Sequence, residues 1–298
     1  MAKLPTVRDL VKLYGLSAKA TLSQNFIFDK NITDKIVRCA GITAKDALVV
    51  EVGPGPGLLT RSILDTNVSN VIALEKDERF LPSLQQLADT ADNRLKILQG
   101  DALKMPQNKI LELANLVPND PSQRVHIVGN LPFNVATPLL IQWLQQLNRK
   151  EGLFGNADVW MTLMFQKEVA QRICAPVNTS ERGRLAVIAQ TLCKAQIPYV
   201  VPSTAFLPKP KVDAAIVQLQ PLPSQDIPYT LLEDILRFFF TRKRKSTSHI
   251  MNLLQSKLKL AEPIVTDIPN NARPENITNE QFVALANTLR ANGVTSVP

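Results

Sequence analysis

A chain of 298 residues with 45% apolar side chains is long enough for about two domains and a sizeable buried core, which excludes a disordered or fibrous class. Its 34 Lys and Arg against 26 Asp and Glu leave a formal charge of +8, which favours a polyanionic partner. Two histidines and three scattered cysteines (Cys39, Cys174, Cys193) exclude a metal cage and a disulfide framework, and no apolar run approaches the roughly 18 residues of a membrane span.

The first 24 residues are basic, with Lys3, Arg8, Lys12 and Lys19 against Asp9, and residues 6–13 show helical apolar spacing. They read as a structural first helix or arm, or as a mitochondrial presequence poor in arginine. Short apolar runs then alternate with helical stretches: residues 47–52, 71–75, 95–99, 125–129, 159–165, 197–201 and 212–219. This predicts an α/β fold with a doubly wound, seven-stranded sheet whose last two runs form a hairpin. After Leu219, Pro221, Pro223 and Pro228 mark a linker, and 229–240, 246–260 and 278–291 read as helices only, with Thr278 and Gln281 as a capping box. The expected domains are 1–221, with the basic arm 1–24, and an all-helical 222–298. The three cysteines read as buried, reduced thiols.

Two motifs carry chemistry. The first apolar run passes into Glu51-Val52-Gly53-Pro54-Gly55-Pro56-Gly57, and eighteen residues past Gly57 the second run ends on Glu75. Gly53, Gly55 and Gly57 can take positive φ and bring backbone close to a ligand, while Glu75 is placed to accept both hydroxyls of a ribose. That pattern alone serves a nicotinamide cofactor and S-adenosylmethionine equally well. The second motif, Asn130-Leu131-Pro132-Phe133, stops the run that begins at Val125. An exocyclic amine of adenine attacks a methyl group well only when acceptors hold its hydrogens, and Asn130 Oδ1 with a carbonyl of Asn130 or Leu131 supplies them. Pro132 offers no N–H and pushes Leu131 into an extended conformation, and Phe133 gives a face on which a base can stack. A dehydrogenase has no use for this second motif.

Together with Leu22-Ser23-Gln24-Asn25-Phe26-Ile27, Glu75-Lys76-Asp77, Gly100-Asp101-Ala102-Leu103, Phe165 to Ala170 and Ala205 to Asp213, these segments run in the order of a known family. The chain resembles the ribosomal RNA adenine N6,N6-dimethyltransferases, and their mitochondrial branch most, through the opening Leu4 to Arg8 and the Phe165 to Ala170 segment. Ile27 stands where Leu is usual, and Phe133 where bacterial members carry Tyr. The resemblance implies a Rossmann-like S-adenosylmethionine-dependent methyltransferase domain with a small helical RNA-binding domain, S-adenosylhomocysteine as product, and a mitochondrial matrix location. It further implies dimethylation of two adjacent adenosines in the 3′-terminal hairpin loop of mitochondrial small-subunit rRNA, on the assembling subunit, by a monomer with an accessory role at the mitochondrial transcription machinery. The alternative is a non-catalytic ribosome assembly or transcription factor on the same frame.

The same resemblance places Gln24, Asn25 and Ile27 in a loop over the methionine end of the cofactor. Asp101 is expected to accept the cofactor's adenine N6–H, with a capping Asp as the plainer reading, and Lys76 to flank that adenine with its stem, with a solvated lysine as its alternative. Phe206, in a loop stiffened by Pro208 and Pro210, is expected to sandwich the target base against Phe133. Arg182, Arg184 and the run Arg242, Lys243, Arg244 and Lys245 are expected phosphate contacts, the run also reading as an import tag or a solvated surface.

Overall fold

The structure, a computed structural model, describes residues 6, 9, 25–117, 120, 122–223, 226–260 and 263–298. The expected amino-terminal helix and arm therefore lie outside the described residues, apart from Thr6 and Asp9. The chain runs through β1 (Phe26–Ile27) into α1 (Lys30–Ala40), which Asp29 opens by accepting the Asn31 N–H and Gly41 closes at a φ of 74°. Alternating units follow: β2 (Leu48–Val52) and α2 (Leu58–Leu64), β3 (Val71–Glu75) and α3 (Leu81–Asp89), β4 (Leu95–Gln99) and α4 (Gln107–Ala114), β5 (Arg124–Gly129) and α5 (Phe133–Arg149). A single turn, α6 (Leu153–Asn156), leads to β6 (Asp158–Gln166), α7 (Lys167–Ile173), α8 (Arg184–Leu192) and β7 (Cys193–Val201). After β8 (Phe206–Leu207) and β9 (Ala214–Pro221) come α9 (Tyr229–Phe240), α10 (Thr247–Leu258) and α11 (Asn279–Ala291), the last opened by the Thr278–Gln281 capping box.

Seven strands form one sheet in the order β4-β3-β2-β5-β6-β9-β7. Strands β2 to β6 run parallel to their neighbours, and β9 lies antiparallel to β6. These are the seven apolar runs of the sequence, and the closing pair are neighbours as expected. Every residue of β2 and β3 is buried, the signature of parallel strands covered on both faces. Each buried aliphatic side chain there contributes about 1.5–3 kcal/mol.

From β2 the chain moves outward through β3 to β4 and then returns to β5 on the other side of β2. Crossovers thus leave in opposite directions from the gap between β2 and β5, and a crevice opens at the carboxyl ends of those strands. Glu51 pairs with Val128, so the glycine turn after β2 and the Asn130 stop after β5 emerge side by side. The register, rather than either motif alone, makes one site of the two.

The chain divides into two compact units, residues 1–170 with 196–221, and residues 171–195 with 222–298. A break at 221 falls in the proline-rich stretch. Residues 171–195, assigned by sequence to the first domain, pack instead with the helical unit: α8 buries Ala186, Val187 and Ala189 and packs against α9 and α11. Of the three thiols only Cys193 is buried, and Cys39 and Cys174 are half-buried, so the expectation of three buried thiols is corrected for two. Desolvation raises all three, Cys174 to about 11.

Candidate active site

The turn after β2 uses positive φ at Gly53 (69°), Gly55 (54°) and Gly57 (88°). Gly57 N–H donates to Pro54 O at 3.0 Å to close it, and Gly53 N–H donates to Leu74 O at 2.9 Å. Gly55 N–H donates to Glu75 Oε2, also at 2.9 Å, so the turn is fastened to the tip of β3. A side chain at Gly55 would meet the Phe26 ring at 3.2 Å in a conformation that already disfavours it. Gly57 has a different use from the one expected: it does not border the cavity described next. It sits at the start of α2, where a Cβ would meet Leu84 and Leu87 methyls at 3.4 and 3.5 Å, so its bareness serves helix packing.

A cavity of about 560 Å³ opens at the strand ends, within the range of small-molecule sites. Of the residues expected from sequence, Asn25, Ile27, Gly53, Gly55, Glu75, Lys76, Asp101, Asn130, Leu131, Pro132, Phe133 and Phe206 border it together. Gln24 lies outside the described residues. Glu75 is 5% exposed, and its second oxygen, Oε1, accepts Asp77 N–H at 2.7 Å. Burial raises its carboxyl above the usual range against the pull of these backbone donors.

Asp101 sits two residues beyond the end of β4. Its Oδ1 accepts Leu103 N–H at 3.1 Å within the turn 102–104; the next helix begins only at Gln107, so Asp101 borders the cavity without capping a helix. Its Oδ2 accepts Lys76 Nζ at 2.9 Å. Lys76 is therefore neither free in solvent nor simply a stem beside the cavity; it occupies the acceptor expected to serve an incoming amine. Burial draws the Asp101 carboxyl upward, but Lys76 and the Leu103 N–H outweigh it and hold it below the usual range.

Asn130 follows β5, where Pro132 ends the extended stretch and begins α5, its carbonyl accepting Val135 N–H at 2.9 Å and Ala136 N–H at 3.1 Å. The carbonyls of Asn130 and Leu131 stay outside the helix ladder. Asn130 Nδ2 donates to Asn25 O at 3.1 Å across 105 positions of sequence, which fixes the amide's orientation and leaves Oδ1 as an acceptor with no partner among the described residues. Phe133 is half-buried beside the cavity; Phe206 is 4% exposed, packs with Ile27 and still borders it, so core packing and site lining coincide in that ring.

Glu51 and Phe26 stand out among the cavity residues to which sequence gave no role. Glu51, the one acid in the apolar run of β2, is 1% exposed, and its Oε2 has no hydrogen-bond partner among the described residues. Burial pushes its carboxyl up to about 8, Thr60 opposing and the Glu75 charge adding. An acid inside a buried strand was the available signal. Phe26 packs edge-on to Phe80 at 5.4 Å and walls the glycine turn; nothing in its spacing marks it.

The expected phosphate contacts need correction. Arg182 is fully buried, donating to Ile277 O at 3.1 Å and Asn279 Oδ1 at 2.7 Å, and cannot reach RNA. Lys243 donates to Ser180 O at 2.6 Å and Arg182 O at 3.0 Å, and Arg242 donates to Phe238 O at 2.8 Å with its guanidinium 3.9 Å from the Phe238 ring. These two close the end of α9 and strap neighbouring turns. Arg184, Arg244 and Lys245 remain exposed.

Comparison with known proteins agrees with this cavity. Residues 15–291 match the family model described as ribosomal RNA adenine dimethylase. The mitochondrial dimethyladenosine transferases 1 of Xenopus tropicalis and Homo sapiens are each 40% identical over 295 residues, covering 96% of this chain and 85% of theirs. That of Drosophila melanogaster is 40% identical over 302 residues, covering 98% and 89%. A crystal structure of a Plasmodium falciparum dimethyladenosine transferase superposes with a TM-score of 0.70 at 26% identity, covering 90% of this chain and 98% of that one. The 23S rRNA methyltransferase ErmE, at 21% identity and a TM-score of 0.59 over 89% of this chain and 99% of that one, shares the fold. With a glycine turn, two strand-tip acids and an oriented Asn130 in one crevice, the chain belongs to the ribosomal RNA adenine dimethylases, enzymes that dimethylate adenine N6 with S-adenosylmethionine.

Proposed function

We propose that this cavity dimethylates two adjacent adenosines in the 3′-terminal hairpin loop of mitochondrial small-subunit rRNA, in the matrix, on the assembling subunit, with the protein acting as a monomer. The observation that carries it is the oriented Asn130 amide, whose free Oδ1 lies in the same cavity as Glu75 and Asp101. The residues present fit S-adenosylmethionine: Gly53 and Gly55 leave backbone bare, Glu75 and Asp101 offer carboxylate oxygens to a nucleoside, and the orphaned Glu51 Oε2 suits the methionine ammonium. When bound, that group supplies an electrophilic methyl on a sulfonium that departs as a neutral thioether.

The chain's own work is alignment and polarisation. Asn130 Oδ1 and a carbonyl of Asn130 or Leu131 accept the hydrogens of the target amine and favour a tetrahedral nitrogen. The methylated nitrogen loses its proton to water, so no strong base is needed. Phe133 and Phe206 hold the base flat, and alignment of this kind can lower a barrier by up to roughly 7–11 kcal/mol. In the second round one hydrogen remains, and one acceptor must keep it while the space beside it holds a methyl. Exposed Arg184, Arg244 and Lys245 supply phosphate contacts.

The test is incubation with labelled S-adenosylmethionine and a short hairpin bearing paired loop adenines, followed by mass analysis of the nucleosides. Dimethyladenosine is expected with the wild-type chain, and neither methylated form with Asn130→Ala, which should still bind S-adenosylhomocysteine. Near-normal turnover by that variant would refute the role given to Asn130. An accessory role in mitochondrial transcription is a separate part of the proposal; it predicts that Asn130→Ala still stimulates run-off transcription.

A further inference from the structure

Beside Phe206, in the same two-residue strand, Leu207 is 62% exposed. Successive strand residues face opposite ways, so where Phe206 walls the cavity, Leu207 stands out from its rim. The segment is firmly held: β8 pairs with β1 (Phe26 with Leu207, Ile27 with Phe206), and Asp213 Oδ1 accepts Ser203 N–H at 2.8 Å to close the base of the loop. Pro208 and Pro210 fix φ at two of the four residues between Leu207 and Val212, itself 45% exposed. Lys209 and Lys211 are exposed on the same loop, and neither has a hydrogen-bond or ion-pair partner among the described residues.

One exposed leucine is ordinary on a protein surface. Two exposed aliphatic residues held on a stiff loop at the mouth of a nucleoside-sized cavity, with two uncommitted cations between them, are not accounted for by folding. An adenine presented to this cavity must leave its stack, and the step it vacates collapses unless something apolar fills it. We propose that the 207–212 loop is an RNA wedge: Leu207 packs against the base next to the extruded adenine, and Lys209 and Lys211 hold the phosphates on either side. This rests on the reading of the cavity as an adenine N6 site in RNA. It adds a positioning element that acts on the nucleotide neighbouring the target, in the unit that carries the cavity.

Leu207 is exposed, so Leu207→Ser should fold normally and bind S-adenosylhomocysteine as the wild-type chain does. Two substrates separate the outcomes: a hairpin whose loop adenine is stacked, and an unstructured oligonucleotide with the same adenine, where little extrusion work remains. With Leu207→Ser, kcat/KM on the hairpin should fall about tenfold, the loss expected for one missing stacking contact. It should be unchanged on the unstructured RNA. A 2-aminopurine at the target position should brighten less on binding the variant. Lys209→Gln with Lys211→Gln should flatten the salt dependence of hairpin binding by roughly 0.7 in log–log slope per lysine. An equal loss on both RNAs, or no loss on the hairpin, would overturn the wedge while leaving the active site intact. A wild-type chain that methylates neither RNA would overturn the adenine reading itself, and the wedge with it.

Discussion

Glu51 makes the cost of the site measurable. Its carboxyl rises from an ordinary 4.5 to about 8 because it is buried, 1% exposed, and the Glu75 charge lies nearby, which together outweigh Thr60. The folded chain therefore holds a proton that the unfolded chain has released between those two values. The stability associated with that proton is fully present below pH 4.5 and is lost as pH rises towards 8. By pH 7 that stability has fallen across about 2.5 units of pH above 4.5, or roughly 3 kcal/mol at 1.36 kcal/mol per unit. Glu51→Gln keeps the shape and cannot ionise. Relative to wild type it should gain about 3 kcal/mol of stability between pH 4 and pH 7, read from urea midpoints at each pH. It should also weaken S-adenosylmethionine binding, since the amide cannot ionise to pair with the ligand's ammonium. A stability difference that stays flat with pH would show that Glu51 is ionised in the folded chain and would refute this reasoning.

Three further outcomes follow from the geometry. Arg182→Met removes donors to Ile277 O and Asn279 Oδ1 and should cost roughly 1–3 kcal/mol in urea unfolding, whereas Arg184→Glu should leave stability alone and lower the salt dependence of RNA binding. Gly129→Ala would place a Cβ 2.9 Å from Val52 O, a backbone atom, and should destabilise by about 1–3 kcal/mol and lower kcat through the displaced Asn130; an unchanged melting midpoint would contradict the close strand approach. Lys76→Met frees Asp101 Oδ2, and because the ion pair is exposed the gain is small: calorimetry with S-adenosylhomocysteine should show up to about fivefold tighter binding. Weaker binding would show that the Lys76 stem supports the ligand rather than competing with it.

The strands were legible because parallel strands covered on both faces are mostly apolar, and β2, β3 and β5 are, with only Glu51, Glu75, Arg124 and His126 breaking the pattern. The glycine turn and Asn130 were legible for a related reason: each interrupts an apolar run at a strand's carboxyl end, where backbone needs a special conformation. Arg182 and Arg184 show the limit. Two residues apart in one polar stretch, they look alike in sequence, yet one is fully buried and the other exposed. What separates them is Ile277 and Asn279, which arrive from 95 and 97 positions away. Lys243 is similar, drawn from a basic run into a strap by Ser180 O. A charge pattern gives the number of cations on a segment; only the fold decides which of them bond to the protein's own carbonyls.

The active site itself follows the opposite rule, because its long-range bonds were implied by its local chemistry. An amide that must accept hydrogen bonds from an amine has to spend its own donor elsewhere, or it would present N–H to the substrate in half of its orientations. Asn130 spends it on Asn25 O, and Asn25 precedes the strand that pairs with β8, which carries Phe206. The acceptor at the end of β5 and the aromatic wall are therefore referenced to one short segment, 25–27. Loosening that segment should disturb amine orientation and base placement together, and through Phe26, which walls the glycine turn bonded to Glu75, it should reach the cofactor half as well.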